Sequence, residues 1–384
     1  MVRKKRKILY ISGTRADYGL IRETLFYIRK NPFLEVEIAA TGMHLMPEFG
    51  KTINEVIKDG FKVYPVAAVY KNDTREAAVS FIADLINNLL KEVKKIKPDI
   101  IFVQGDRPEM LAGAIVGVYL GMPVCHSHGG EVTSTVDEIT RHAISKLSHF
   151  HFAATKKSAE RLVRMGEDPQ KVFTVGALGI EAVIKKEFLT KKEIEKKYNL
   201  NLSEPFLLVL QHPVTLEEKE AARQIKETME AVVVAKEQTI IIYPCSDAGS
   251  REIIKVVKKY EKYDFLRIYK NIAHKDFLSL MSVASVLIGN SSSGIIEAPS
   301  LGLPVINIGT RQEGREHSCN IINVGYSEKE IKKAIEKAVY DKKFREGIKK
   351  CKNPYQGNNT GMKIVNILSK IKIDKNLLQK KITY

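Results

Sequence analysis

At 384 residues, 44% hydrophobic and with a formal net charge of +17, the chain is long enough for two domains and apolar enough to give each a core. No apolar run approaches the roughly 20 residues of a membrane span, and the basic start over residues 1–7 leads into a short strand, not a signal-peptide core. These features predict a cytoplasmic protein with no membrane partner. The lysines interleave with glutamate at helical spacing, as over 91–97, 185–197 and 329–350, so they read as solvated helix faces and not as a nucleic-acid footprint.

In chain order, strands are predicted at 7–12, 35–40, 100–104, 123–126, 149–153 and 172–175, with helices at 20–30, 49–58, 74–96, 109–120, 137–147 and 158–165 between them. The texture then turns polar and lysine-rich, which reads as a linker with one short helix. Strand and helix alternate again afterwards, with strands at 206–210, 239–243, 265–269, 283–288 and 304–308. The expected fold is therefore α/β: two doubly wound Rossmann-like domains of glycosyltransferase-B type with a ligand cleft between them. We place the first domain at 1–180, a linker at 181–204, the second domain at 205–360 and a helical tail at 361–384, which crosses back to the first domain. Cys125, Cys245, Cys319 and Cys351 show no close pair and read as reduced thiols.

Polar residues follow the apolar runs repeatedly, at what would be strand carboxyl ends. Gly13 turns the chain after the first strand, an anion-friendly place where backbone N–H groups and Arg15 can grip a phosphate. Asp106 and Arg107 follow Gln104. His126, His128, Glu131 and Asp137 cluster at and after the 123–126 strand, a set better suited to general acid–base work than to a metal site, because Cys125 points away from His126 in a strand, while Arg107, Arg141 and Asp247 are candidates for substrate or nucleotide binding. In the second half, His212 follows one strand and Asp247 the next, with Ser246 or Asp247 as helix cap. In the Asn290–Gly294 loop, Ser291 and Ser292 offer hydroxyls for a diphosphate, and Glu297 suits a ribose hydroxyl pair. Arg311 lies beyond the final strand. No dinucleotide fingerprint or Walker loop occurs, so neither ATP hydrolysis nor a bound cofactor or metal is expected.

Gly13-Thr14-Arg15-Ala16-Asp17-Tyr18, Ala40-Thr41-Gly42-Met43-His44, Gly105-Asp106-Arg107, His142-Ala143-Ile144-Ser145-Lys146-Leu147, His212-Pro213-Val214-Thr215, Asp247-Ala248-Gly249-Ser250 and Gly309-Thr310-Arg311-Gln312 together resemble the hydrolysing UDP-N-acetylglucosamine 2-epimerase family. The resemblance implies elimination of UDP from UDP-N-acetylglucosamine, or from a related UDP- or GDP-linked diacetamido sugar, and hydration of the glycal to a free N-acetylmannosamine-type sugar. It implies Asp106 and Asp137 as acid–base residues, His212 for leaving-group or proton transfer, Glu297 as ribose ligand, and a homodimer or homotetramer. Two positions depart from the family pattern. Where many relatives read His-Ile-Glu-Gly-Gly-Glu, this chain has His128 at the first acidic position, and either its imidazole or Glu131 can act as base. Gln104 stands where relatives often place His. Alternatives are a non-hydrolysing epimerase, a glycosyltransferase of the same fold, and a catalytically silent nucleotide-sugar sensor.

Overall fold

The computed structural model describes residues 4–384; the first three residues of the basic start lie outside it. Two compact units emerge, the first built from 4–132, 136–181 and 355–384, the second from 133–135 and 182–354. Among the described residues no helix is long and apolar enough to cross a membrane.

The first unit holds β1 (Arg6–Ser12), β2 (Leu34–Ala40), β3 (Lys62–Pro65), β4 (Ile100–Gln104), β5 (Val124–Ser127), β6 (Phe150–Ala153) and β7 (Val172–Thr174). They form one sheet in the order β3-β2-β1-β4-β5-β6-β7, and every pairing is parallel. Residues 8–11 and 100–103 are all fully buried, as strands covered on both faces must be. Their side chains alternate between two cores: Ile8, Tyr10 and Phe102 join one, while Leu9, Ile11, Ile101 and Val103 join the other.

The second unit repeats the plan with β8 (Phe206–Leu210), β9 (Gln238–Ile242), β10 (Leu266–Tyr269), β11 (Val286–Gly289), β12 (Val305–Ile308) and β13 (Ile321–Val324), ordered β10-β9-β8-β11-β12-β13. In both sheets the order reverses beside the founding strand, between β1 and β4 and between β8 and β11. That reversal opens a crevice at the strands' carboxyl ends. At the second reversal Gly289 takes φ +133°, and a Cβ there would run into the Leu210 carbonyl, so only glycine lets the two strand ends approach so closely.

Several expectations need correction. The segment predicted as a linker is part of the second unit: the helix Lys191–Tyr198 carries a Thr190/Glu193 capping box, and Val183, Ile194, Tyr198 and Leu200 lie in that unit's core. Cys319 and Cys351 are not free thiols but a disulfide, with Cα atoms 5.5 Å apart; Cys125 and Cys245 are free. The edge strands β3 and β13 are additional. The helix Thr360–Lys370 packs on the helix Arg15–Lys30, with Ile364 and Leu368 in the first unit's core.

Candidate active site

At the first reversal, Thr14 caps the helix Arg15–Lys30 and Asp17 answers from its first turn. Asp17 takes the N–H groups of Gly13 and Thr14 at 3.0 and 2.6 Å, and its other oxygen accepts from Ser12 Oγ at 2.5 Å and Tyr10 OH at 3.0 Å. Burial pushes this carboxyl upward, against the hydrogen bonds from Ser12 and Thr14 that favour its charged form. The Gly13 turn is thus not the backbone anion site its sequence suggests, because both amides are already committed. Arg15 follows at the first position of the helix and is half-buried. Behind the turn, Ser12 Oγ meets His44 Nε2 at 2.8 Å and Thr52 Oγ1 meets His44 Nδ1 at 2.8 Å; burial lowers this imidazole to about 4, so it stays neutral.

After β4, Gly105 adopts φ +75° and turns out Asp106, whose carboxylate pairs with Arg141 of the helix Val136–Leu147. Arg141 is 1% exposed, donates to the His128 carbonyl at 3.2 Å and lies 3.6 Å from Glu131 Oε2. The sequence places Arg141 among the ligand-binding residues; the structure instead surrounds it with protein partners, because a buried guanidinium has to be paired. Glu131, 2% exposed, accepts from His128 Nδ1 at 2.6 Å, while the Leu178 N–H approaches His128 Nε2 at 3.4 Å. These two contacts favour the tautomer with hydrogen on Nδ1. Its backbone sits at φ +60°, a left-handed conformation that costs a non-glycine residue about 1 kcal/mol or more and often marks a functional position. Asp137 lies one helical turn before Arg141 and is half-buried.

The sequence named His126 but not the hydrogen bonds that make it part of the frame around these groups. His126, fully buried, donates Nε2–H to the Gly105 carbonyl at 2.7 Å and receives Ser145 Oγ at Nδ1, 3.1 Å away. Burial holds this imidazole well below its ordinary value, so the tautomer is fixed. Arg107 rests on the fully buried Glu109 at 3.2 Å. The signal for His126 was its strand position two residues before His128.

At the second reversal, the Asn290 side chain closes a two-bond ring with His212, accepting from its N–H at 2.7 Å and donating to its carbonyl at 2.9 Å. Cys245 N–H donates to His212 Nδ1 at 3.4 Å, which leaves the neutral ring's proton on Nε2. Arg311 and Gln312 both donate to the Asn290 carbonyl, at 3.2 and 2.8 Å, so the loop after β12 is tied to the loop after β11. Ser291 Oγ accepts from Ser293 N–H at 3.3 Å, whereas Ser292 makes no side-chain cap bond. Glu297 is 2% exposed just beyond. Asp247 is half-buried after β9, and its carbonyl accepts from the Ser250 N–H at 3.0 Å; the N-cap position of the helix Ser250–Lys258 is Gly249.

Two doubly wound parallel sheets in one chain, each with polar groups gathered at its strand reversal, define a glycosyltransferase-B-like protein. The chain belongs to the UDP-N-acetylglucosamine 2-epimerase family, which it matches over residues 27–369, and it is an enzyme of that family. It is 37% identical to the UDP-N,N'-diacetylbacillosamine 2-epimerase (hydrolyzing) of Legionella pneumophila over 98% of both chains. It is 35% identical to the UDP-N-acetylglucosamine 2-epimerase of Neisseria meningitidis over 88% of this chain and 89% of that one. The crystal structure of UDP-GlcNAc 2-epimerase from Neisseria meningitidis bound to UDP-GlcNAc shares the fold with a TM-score of 0.80 and 21% identity, over 95% of this chain and 100% of that one.

Proposed function

We propose that this enzyme is a hydrolysing 2-epimerase: it converts a UDP-linked 2-acetamido sugar to UDP and the free sugar with inverted C2. The observation that carries the reading is the Arg141 guanidinium binding both Asp106 and Glu131, with His128 on Glu131, beside the first sheet's reversal. The C2 hydrogen is weakly acidic, so its removal has to be coupled to departure of a leaving group whose growing charge is stabilised. A base drawn from Asp106, His128, Glu131 and Asp137 takes the C2 proton while the C1–O bond breaks and its electron pair leaves on the diphosphate. Water then supplies hydroxide to C1 and a proton to the opposite face of C2. The sequence is redox-neutral and balances without a cofactor.

Within the second unit, Arg311 and the Ser291 and Ser292 hydroxyls suit a diphosphate, and His212 Nε2–H suits proton donation to it; within the first unit, Arg15 and Arg107 are cations suited to phosphate. Glu297 suits the ribose hydroxyls, and Asp247 is a further substrate ligand. Arg141 holds the carboxylates in place. The preferred sugar is a UDP-linked diacetamido hexose, supported by the 37% identity over 98% of both chains to the Legionella enzyme, with UDP-N-acetylglucosamine as the second substrate. Self-association, as a homodimer or homotetramer in the cytoplasm, is supported by the exposed apolar side chains Tyr119 and Ile139 on neighbouring helices of the first unit. Incubation with each UDP-sugar in deuterated water, followed by proton NMR, tests the reading. UDP and a free sugar carrying deuterium at C2 are expected; protium retained at C2, or a nucleotide-linked product, refutes it.

A further inference from the structure

A second buried charge cluster lies in the first unit, toward the amino ends of its strands, around Glu167. This carboxylate is 1% exposed and meets His151 Nε2 at 2.8 Å, Lys146 Nζ at 3.0 Å and Lys380 Nζ at 2.5 Å. The Lys380 ammonium also donates to the carbonyls of Ser145, Lys146 and Ser148 at 3.0, 2.9 and 2.6 Å. Ser145 and Lys146 belong to the last turn of the helix Val136–Leu147, where carbonyls lack helical partners and the helix dipole is negative. A lysine that merely pinned down its own segment would need one acceptor; this one gathers three carbonyls from a single helix end.

The segment that delivers Lys380 is built to hold it there. Asp374 caps the turn Lys375–Leu378, Leu377 is 3% exposed in the core, and Thr383 N–H donates to the Gly166 carbonyl at 3.3 Å. Burial lowers the ammonium's pKa, and Glu167 works against that shift. The capped helix carries Arg141 one turn before Ser145, and the Ser145 hydroxyl reaches His126, which in turn holds the Gly105 carbonyl beside Asp106.

We propose that Lys380 is a positioning residue: its ammonium caps the helix Val136–Leu147 and so holds Arg141 against Asp106 and Glu131, tuning proton transfer without touching substrate. Its effect on turnover rests on the function proposed above; its effect on the helix does not. The test compares Lys380→Met, Lys380→Arg and the control Lys372→Ala, whose side chain is 87% exposed, by hydrogen exchange of amides 141–147 and by steady-state UDP release. In Lys380→Met those amides should exchange about tenfold faster, as loss of a cation at a partly buried helix end allows. Its kcat should fall about fivefold with KM unchanged. Lys380→Arg should restore most of both, and the control should match the parent.

Parental exchange over 141–147 in Lys380→Met overturns the cap. Faster exchange with unchanged kcat, or a rise in KM in place of a fall in kcat, overturns the positioning role. A parent chain that releases no UDP from any UDP-sugar refutes the functional reading, while the exchange measurement still decides the cap. Should Lys380→Met fail to fold, Lys380→Gln, which keeps a donor group, undergoes the same measurements with the same criteria.

Discussion

Replacing Arg141 with glutamine strips the shared cation from two carboxylates at once. The guanidinium is 1% exposed and contacts Asp106, Glu131 and the His128 carbonyl. Removing one partner of a buried ion pair costs about 3–5 kcal/mol, because the remaining charge is stranded. The Asp106 side chain is 23% exposed and can be rehydrated, whereas that of Glu131 is 1% exposed and cannot. We therefore expect a loss near the low end, about 3 kcal/mol, in urea unfolding. Turnover should fall about 100-fold, the scale associated with a misplacement of about 1 Å in a reacting group. Arg141→Lys keeps the charge but reaches one carboxylate at a time, so it should lose about 1.5 kcal/mol and recover only part of the turnover. A glutamine variant within about 0.5 kcal/mol of the parent, the range of neutral surface changes, would refute the claim that this pairing is structural. A lysine variant equal to the parent would refute the need for two-pronged geometry.

His128→Ala should cut turnover by about 100-fold or more while calorimetric UDP affinity stays at the parental value; normal turnover would assign proton transfer to Glu131. Cys319→Ser opens a loop spanning a sequence separation of 32, and chain entropy sets the upper limit of its effect at about 3–4 kcal/mol in the second unit. Equal urea midpoints with and without reductant in the parent would contradict a stabilising bridge. Burial opposes ionisation of Glu167, yet His151 and Lys380 outweigh it and hold the carboxyl at about 2, below its ordinary 4.5. With the folded value below the unfolded one, this group contributes about 3 kcal/mol above pH 4.5 and loses it as the pH falls toward 2. The stability gap between the parent and Glu167→Gln in urea unfolding should therefore be widest at pH 7 and shrink by more than half at pH 3, closing only toward pH 2; a constant gap would count against the assignment.

The strands at both sheet centres were legible because burial on both faces leaves an unbroken apolar run, as at Ile100–Val103. The edges were not. β3 reads Lys-Val-Tyr-Pro with both ends exposed, and β13 is only partly covered, so neither shows the pattern that marks a strand. The polar stretch before β8 misled for a related reason: Ile194 and Tyr198 face the core one turn apart while the lysines around them face solvent, and composition averages the two. Residues at the strand ends could be placed there because each follows an apolar run. Their couplings were invisible, since no local rule pairs Arg141 with Asp106 35 positions earlier or Cys319 with Cys351 32 positions later. Asp17 shows a different failure: the motif was noticed, but which way two amides point is settled by the capping geometry alone.

The first unit takes its helix layer from both sides of the second, with 355–384 returning to pack beside the helix Arg15–Lys30. Translation therefore finishes the second unit, whose residues 133–135 are made earlier still, while the first still lacks a piece of its core. During synthesis the later-encoded unit can close before the earlier one, reversing the usual amino-to-carboxyl order. A chain ending near residue 354 would keep the second unit's sequence whole while leaving the first unit's core open where Ile364 and Leu368 belong.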